Sequence, residues 1–532
     1  MSNMAPENGT DPSKNATLVR GARLALMGRA GALIEVLSLF LFAQMYGSET
    51  YGIFLVLWFV VQALAIFSDF GMTLALQRFI PSGEDEINAG RILKYALSVS
   101  LTISCVVSVG LTFAAPFIAD FINANERDSQ HLVDIIRLYA WAVPLWCLID
   151  VCTAAIRAQQ VFGPEIKVRI FYEQGFRLVF GSLFYFLGYL SFGLFISHLI
   201  GLAFTALFAL RLIHRHYGLP LIFTKTGRDK ALVRDMVSFA FSMVLPNLAK
   251  KWHSGLPLLV LNVMIPGAQG AEAAGIYGIA RKLVSFINVF RESLEYVLAP
   301  IASAHSKLEQ KGQLQDMFRF ATRLAICLII PAATLIVFNR YGLMRLSGSE
   351  FLAGTLAVII LASGRVLEAG TGPSTAILTM IGRYRLPFIN AVIGVTLTGL
   401  LGVILVPLGS MFAEGLMGPI AAAALSAIIG INATAILANL EARFLYDLRP
   451  YARQSVKPIL VSLAFSAVLA GLIVVTEDIW RPLHFAIGVI GFVCALVGIM
   501  RYGFQRQEAE IIIPRKVREK YPFLLPRDAT ID

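Results

Sequence analysis

The sequence predicts an all-α polytopic membrane protein with about 14 transmembrane helices, arranged as two six-helix lobes around a central cavity with two further helices at the C-terminal end. Three observations lead there. Hydrophobic residues make up 57% of the 532 positions and charged residues only 15%, at a mean hydropathy of +0.71, which leaves too little polar surface to coat a soluble particle. Apolar runs of about 20 residues, the length that crosses a bilayer as helix, follow one another with linkers too short to fold alone. Lysine and arginine crowd alternate linkers and are scarce in those between.

In chain order, the opening "MSNMAPENGTDPSKNATLVRGAR" is polar before any apolar run. It lacks the charged-then-apolar layout of a cleaved secretory signal, so 1–16 reads as a cytosolic tail. Span one, 17–46, carries Arg23, Arg29 and Glu35. Span two, 50–79, opens at Tyr51-Gly52-Ile53, stops at Pro81, and places Gln62, Asp69 and Thr73 on one face. Spans three (92–122), four (131–158), five (165–189) and six (191–214) complete an N-lobe over 17–215, with Trp146, Asp150, Thr153 and Arg157 sharing a face of span four. After a basic linker at 216–231, span seven (232–265) begins a C-lobe over 232–450. Spans eight (271–303), nine (316–340), ten (350–381), eleven (386–408) and twelve (413–443) follow. Spans thirteen (454–476) and fourteen (481–502) occupy 451–502, and a basic cytosolic tail closes the chain over 503–532.

Span seven is where hydropathy alone is ambiguous, because Lys250, Lys251 and His253 sit between Pro246 and Pro257. Charge bias resolves it. With a single span, Arg211, Arg215, Lys225, Arg228, Lys230 and Arg234 precede span seven on the same side as Arg443, Arg449, Arg453 and Lys457, and as the C-terminal tail. The loops "GSET", "PGAQGAEA" and "PLGSMFAEG" on the opposite side have no cation. Splitting the span would reverse this positive-inside pattern for half the chain. Both termini are therefore expected inside, and the net charge of +11 reflects topology and anionic headgroups rather than nucleic-acid binding.

Span eight opens at Tyr277-Gly278-Ile279 and stops at Pro300, matching span two in tripeptide, topology and terminal proline six spans later. The simplest organisation is a repeat of two halves in the same orientation. Along span eight, Tyr277, Arg281, Ser285, Asn288, Glu292 and Glu295 fall within a stripe about 80° wide. Ionised groups at the bilayer centre cost at least about 2.5 kcal/mol each, so the stripe must meet partners or water. It is open to two readings, buried ion pairs joining helices or a hydrated cavity. Polar faces on spans one, two, four and seven, and Arg365 with Glu368 on span ten, favour the cavity. Pro246, Pro257 and the "GTGP" run at 370–373 are expected bends.

Other chemistry finds little support. The cysteines, Cys105, Cys147, Cys152, Cys327 and Cys494, fall in apolar runs without a CxxC pair, and neither His198 nor His253 has a second ligand at metal spacing. No metal or cofactor is expected. A GxxxxGK[ST] phosphate loop is missing, and the longest loop, "RLIHRHYGLPLIFTKTGRDKA", offers no catalytic constellation, so no enzyme is expected.

The stretches "YGIFLVLWFVVQALAIFSDFGMTLALQRFIP", "GIYGIARKLVSFINVFRESLEYVLAPIASAHSKLEQKG" and "AILTMIGRYRLPFINAVIGVTLTGLLGVILVPLG" resemble the polysaccharide-transporter, or Wzx-type flippase, family of the multidrug/oligosaccharidyl-lipid/polysaccharide exporters. The family's span-two ending corresponds here to Gly71, Met72, Ala75, Leu76, Arg78 and Phe79. The resemblance implies a two-lobed alternating-access transporter. Its cargo would be a polyprenyl-diphosphate-linked oligosaccharide or exopolysaccharide repeat unit, moved from the inner to the outer leaflet of a bacterial inner membrane, ion- or potential-driven. The residues suit an anionic headgroup: Arg29, Lys250, Lys251, Arg281, Arg291 and Arg365 are candidate donors, and Asn288 a candidate sugar contact. Glu35, Asp69, Asp150, Glu292 and Glu368 either bind a coupling proton or sodium, or neutralise nearby arginines. A multidrug exporter of organic cations, with the same fold but an acidic, aromatic cavity, is the alternative. Expected partners are the lipid-linked glycan, membrane lipids and polysaccharide polymerase or export proteins, with no nucleic acid, and the protein is expected to be a monomer. The charge bias predicts that a cysteine placed in the 266–272 loop is labelled by an impermeant thiol reagent from outside intact cells and one placed at 216–230 is not. Labelling of both from one side would overturn the single-span reading of 232–265.

Overall fold

A computed structural model describes residues 12–81, 86–159, 167–217, 230–304, 311–380, 383, 385–411 and 413–506, together with 508–509, 518–519, 521–522 and 525–526. The side chains of Arg29, Glu35, Lys250 and Glu292 lie outside what is described. Among the described residues all regular structure is helical. The helices are α1 (Pro12–Asp69), α2 (Met72–Phe79), α3 (Glu86–Ala119), α4 (Glu126–Tyr139), α5 (Ala142–Ala158), α6 (Glu173–Phe186), α7 (Leu190–Tyr217), α8 (Lys230–Met264) and α9 (Ala268–Ala304). They continue with α10 (Lys311–Phe338), α11 (Arg340–Arg345), α12 (Thr355–Gly370), α13 (Ser374–Met380), α14 (Arg385–Leu405), α15 (Met417–Tyr446), α16 (Val456–Val475) and α17 (Arg481–Gly503).

Every predicted span coincides with helix, and the all-α polytopic reading holds. Eleven helical stretches among the described residues are long and apolar enough to cross a membrane. Span one is outside that number because most of its side chains are not described. Span five falls short because α6 has only 14 residues, preceded by a π-helical turn at Lys167–Tyr172. Span eight is outside that number because its side chains are described only as far as Asn288 and at Arg291. Spans one and two are joined in α1 across Gly47, whose φ of 79° is open to glycine at little cost. Span two breaks again at Phe70 and Gly71, both at positive φ. Helix α8 runs unbroken through Pro246 and Pro257, whereas span ten is interrupted between Gly370 and Ser374, where Gly372 has φ +69°.

The chain divides into two compact units. The first comprises Met1–Tyr46, Leu57–Phe121 and Arg127–Leu248. Its core joins α2, α3, α5, α7 and the start of α8 through Leu76, Leu93, Ala96, Ala155, Ala209 and Ala240. So many alanines let backbones approach closely, which is how helices gain contact where lipid already solvates apolar side chains. A second cluster in this unit surrounds Arg177, whose side chain is wholly buried. Arg177 lies over the Trp58 ring at 4.8 Å and donates to Ser38 Oγ at 3.1 Å and to Gln174. The Trp58 and Trp146 rings lie 6.3 Å apart, and His198 meets both edge-on while its Nδ1 is hydrogen-bonded to the Tyr139 hydroxyl at 2.8 Å.

The second unit comprises Gly47–Val56, Ile122–Glu126 and Ala249–Asp532. Here the first copy of the repeated tripeptide packs against α9 just ahead of the second copy. A Cβ on Gly52 would overlap the carbonyl oxygen of Ala271, and one on Gly275 would overlap that of Ser48 and come within 3.2 Å of the Gly52 Cα. Beside this crossing Asn123 and Asn262 bond reciprocally: Asn262 Nδ2 donates to Asn123 O at 2.8 Å, and Asn123 Nδ2 to Asn262 O at 2.7 Å. Helices α14 and α15 pack along a stripe of small residues that includes Gly394, Thr398, Ser426 and Gly430, all buried. The last two helices attach to α10 through Cys327, Ile499 and Phe504. Arg323 of α10 pairs there with Glu508 and lies 5.7 Å from the Phe504 ring. The crossing makes a sharp prediction for thermal unfolding in detergent. Gly275→Ala should lower the midpoint clearly, at about 1–3 kcal/mol of overpacking or more. Gly471→Ala, where nothing lies within 4 Å, should leave it unchanged or raise it, since alanine is the better helix former by about 1 kcal/mol. Equal effects would mean that the crossing is not tight.

Candidate functional site

The polar stripe of span eight lies on α9 in the second unit. Tyr277 is buried there, while Arg281, Ser285, Asn288 and Arg291 are half-buried. Opposite them stands the last turn of α12, and the Glu368 carboxylate joins the two helices. One of its oxygens pairs with Arg291, and the other accepts from Arg365 Nη1 at 2.7 Å. Side-chain exposure is 31% for Arg291, 22% for Arg365 and 9% for Glu368, so the carboxylate is the innermost member. Arg281 and Arg365 both lie within electrostatic reach of the Tyr277 hydroxyl, and Arg365 also reaches His253 of α8. Lys251 sits half-buried two residues before that histidine.

The residues of span ten hold this geometry by giving up their own helix. At the break the backbone oxygens find side-chain donors: Asn439 Nδ2 donates to Thr371 O at 2.8 Å, and the Tyr451 hydroxyl to Gly370 O at 2.5 Å. Thr371 Oγ1 donates back to Glu368 O at 2.7 Å. Groups freed from a helix at membrane depth must be satisfied by the protein, and here α15 and the segment after it do so. Glu368 is thereby fixed in a final turn that cannot unwind without losing these bonds.

Of the two readings of the stripe, the ion pairs are what the described contacts show. Arg291 and Arg365 share one carboxylate, as helix-joining ion pairs do. Arg281 adds a third guanidinium on this side of α9, while Glu292 and Glu295 of the same stripe lie outside the described side chains. Forked guanidiniums match phosphate oxygens two at a time, chemistry that suits Arg281, Arg291 and Arg365 to a phosphate-bearing ligand.

Two other expected carboxylates belong to the first unit. Asp69 is buried at the end of α1 and accepts from the Thr73 backbone N–H at 3.3 Å and from its hydroxyl, holding the start of α2. Asp150 is half-buried on α5, where the Thr153 hydroxyl donates to Ile149 O at 2.8 Å and to Asp150 O at 3.2 Å. Arg177 was not singled out from the sequence, although a lone cation inside the apolar run "FRLVFGSLFYF" is the kind of signal that could have marked it.

Comparisons with known proteins agree with this architecture. The pattern of the family described as Polysaccharide biosynthesis protein matches residues 20–305, just over half of the chain. A curated relative, the probable low-salt glycan biosynthesis flippase Agl15 of Haloferax volcanii, is 21% identical over 74% of this chain and 78% of its own. Among solved structures, the lipid II flippase MurJ in an inward closed conformation superposes with a TM-score of 0.68 at 14% identity, over 89% of this chain and 98% of that one. An inward-facing multidrug resistance MATE family transporter of the MOP superfamily gives 0.65 at 16% identity, over 78% and 94%. At such identities these structures share the fold.

The shared carboxylate predicts an asymmetric mutational response. Glu368→Ala leaves two guanidiniums facing each other and should cost about 3–5 kcal/mol, seen as a fall in membrane abundance and unfolding temperature. Adding Arg291→Met should recover most of the loss. A double variant as unstable as the single one would show that the pair is not what holds α9 to α12.

Proposed function

Because the chain belongs to the polysaccharide biosynthesis protein family, we propose that it is a transporter that flips a polyprenyl-diphosphate-linked oligosaccharide or exopolysaccharide repeat unit from the inner to the outer leaflet. The observation that carries this reading is the gathering of three guanidiniums, Arg281, Arg291 and Arg365, on the facing turns of α9 and α12. Arg281, Arg291 and Arg365 would meet the diphosphate where water is scarce, with Lys250, Lys251 and Arg29 as further cations and Asn288 as a sugar contact. The named glycan flippase among the relatives supports the same cargo class. Its fold is shared with multidrug transporters, so fold alone does not choose between a lipid-linked glycan and an organic cation. The basic character of the site favours the anion.

In this proposal the cargo binds from the inner side, and its release outward is electrically downhill. Each negative charge crossing 100 mV, inside negative, yields about 2.3 kcal/mol. The emptied basic site must then return, and a carboxylate that binds a proton or sodium would couple that step. Glu368 is engaged by two arginines and Asp69 by Thr73, which supports structural roles for both. Glu35, Asp150 and Glu292 stay as coupling candidates on the same footing. We place the protein in a bacterial inner membrane with both termini cytoplasmic, acting as a monomeric transporter and not as an enzyme, beside the polymerase or export proteins that take up its product.

The test is substitution of Arg281. Arg281→Gln should leave a folded, inserted protein whose cargo binding is weakened roughly ten- to a hundredfold, the range of one charge-assisted hydrogen bond. Arg281→Glu should be worse and Arg281→Lys partly active. Abundance and lipid-linked glycan transport are measured side by side. Low abundance in Arg281→Gln, rescued by neutralising a carboxylate partner, would make Arg281 structural and remove it from the site.

A further inference from the structure

A second basic surface lies in the first unit, away from α9 and α12. Helix α3 is little covered by the rest of the chain, and its first turns line a cavity of about 520 Å³. Arg91, Lys94, Tyr95, Ser98 and Thr102 face it and, at 100° per residue, form a stripe roughly 100° wide, with Val99 at the apolar margin. Arg91, Lys94 and Tyr95 are half-buried and Ser98 is exposed. Arg91 Nε is buried and has no hydrogen-bond partner among the described residues, a donor in want of an acceptor. Arg91 and Lys94 stand within the first nine residues of a 34-residue helix, at headgroup depth, and Thr102 lies about 16 Å further along at 1.5 Å per residue. Cations at the membrane surface, hydroxyls above them and an apolar wall beside them match an amphiphile whose head is a phosphate and whose tail stays in hydrocarbon.

We propose that Arg91, Lys94, Tyr95 and Ser98 form a binding site for the phosphate headgroup of a membrane lipid at the start of α3. The volume accommodates a diphosphate with sugar beside it and falls in the range of small-ligand sites. Only the identity of the lipid rests on the flippase reading: the headgroup belongs either to the lipid-linked cargo, held before it reaches the arginines of α9, or to an anionic bilayer lipid.

The experiment uses the full chain in phosphatidylcholine nanodiscs, with Ser98→Cys in a Cys105→Ser, Cys494→Ser background, those two cysteines being exposed. The rate of maleimide labelling at position 98 is followed as sugar-free polyprenyl diphosphate or phosphatidylglycerol is added. Bound headgroup should slow labelling at least about tenfold, and Arg91→Gln with Lys94→Gln should abolish the slowing without changing the lipid-free rate or the unfolding temperature. Slowing by the diphosphate lipid alone assigns the site to cargo, and equal slowing by both assigns it to anionic lipid generally. No slowing by either, or slowing that survives the double substitution, overturns the proposal. Arg281→Gln, expected to lose transport, should keep the slowing, so the two readings fail separately. Loss of slowing in Arg281→Gln would show that α3 holds no site of its own.

Discussion

A charge carried into hydrocarbon must find a partner before the helix bearing it can be accommodated, and much of this fold follows from how that demand is met. Three solutions coexist. Arg291 and Arg365 share Glu368. Arg323 pairs with Glu508 from beyond the last helix. Arg177 lies over an indole and donates to Ser38 and Gln174. In the first solution one carboxylate holds two guanidiniums from different helices, so a single buried glutamate ties α9 to α12.

The same demand falls on the backbone. A helix broken at membrane depth exposes carbonyls that lipid cannot satisfy, so a break persists only where neighbouring helices supply donors. Span ten is broken where Asn439 and Tyr451 reach it, directly after the glutamate that two arginines hold. The break and the ion cluster therefore support each other: the fixed turn presents Glu368, and the ion pairs hold α12 to α9 beside the interruption.

Much of the architecture was legible because span length, apolar composition and charge asymmetry are local properties of the chain. The fourteen helical spans, the unbroken helix across Lys250 and Lys251 and the interruption at "GTGP" all follow from such local signals. Pairings are not local. Nothing in the spacing of Arg291 and Glu368, or of Arg323 and Glu508, says that they meet, because each joins helices far apart in sequence. The stripe on α9 could be read as polar, but whether ion pairs or an open basic surface resulted depended on what α12 brought to it. Arg177 escaped for a related reason, since its chief partner is an aromatic face, and aromatic residues in an apolar run read as packing. The start of α3 was not singled out from the sequence, because a cavity beside it leaves no mark there.

The crossing of Gly52 with Gly275 has a mechanical consequence. Most helix contacts are made by side chains, which can rotate, so such interfaces can slide or loosen by degrees. Here main chain lies against main chain, with the carbonyls of Ser48 and Ala271 closing over each glycine, and the paired amides of Asn123 and Asn262 add directional bonds beside it. An interface of that kind has no intermediate setting: it is seated or it is parted, as a latch is. Any working motion that separates these segments must do so in one step and reseat them in the same register, and the facing glycines supply the matching surfaces for that return.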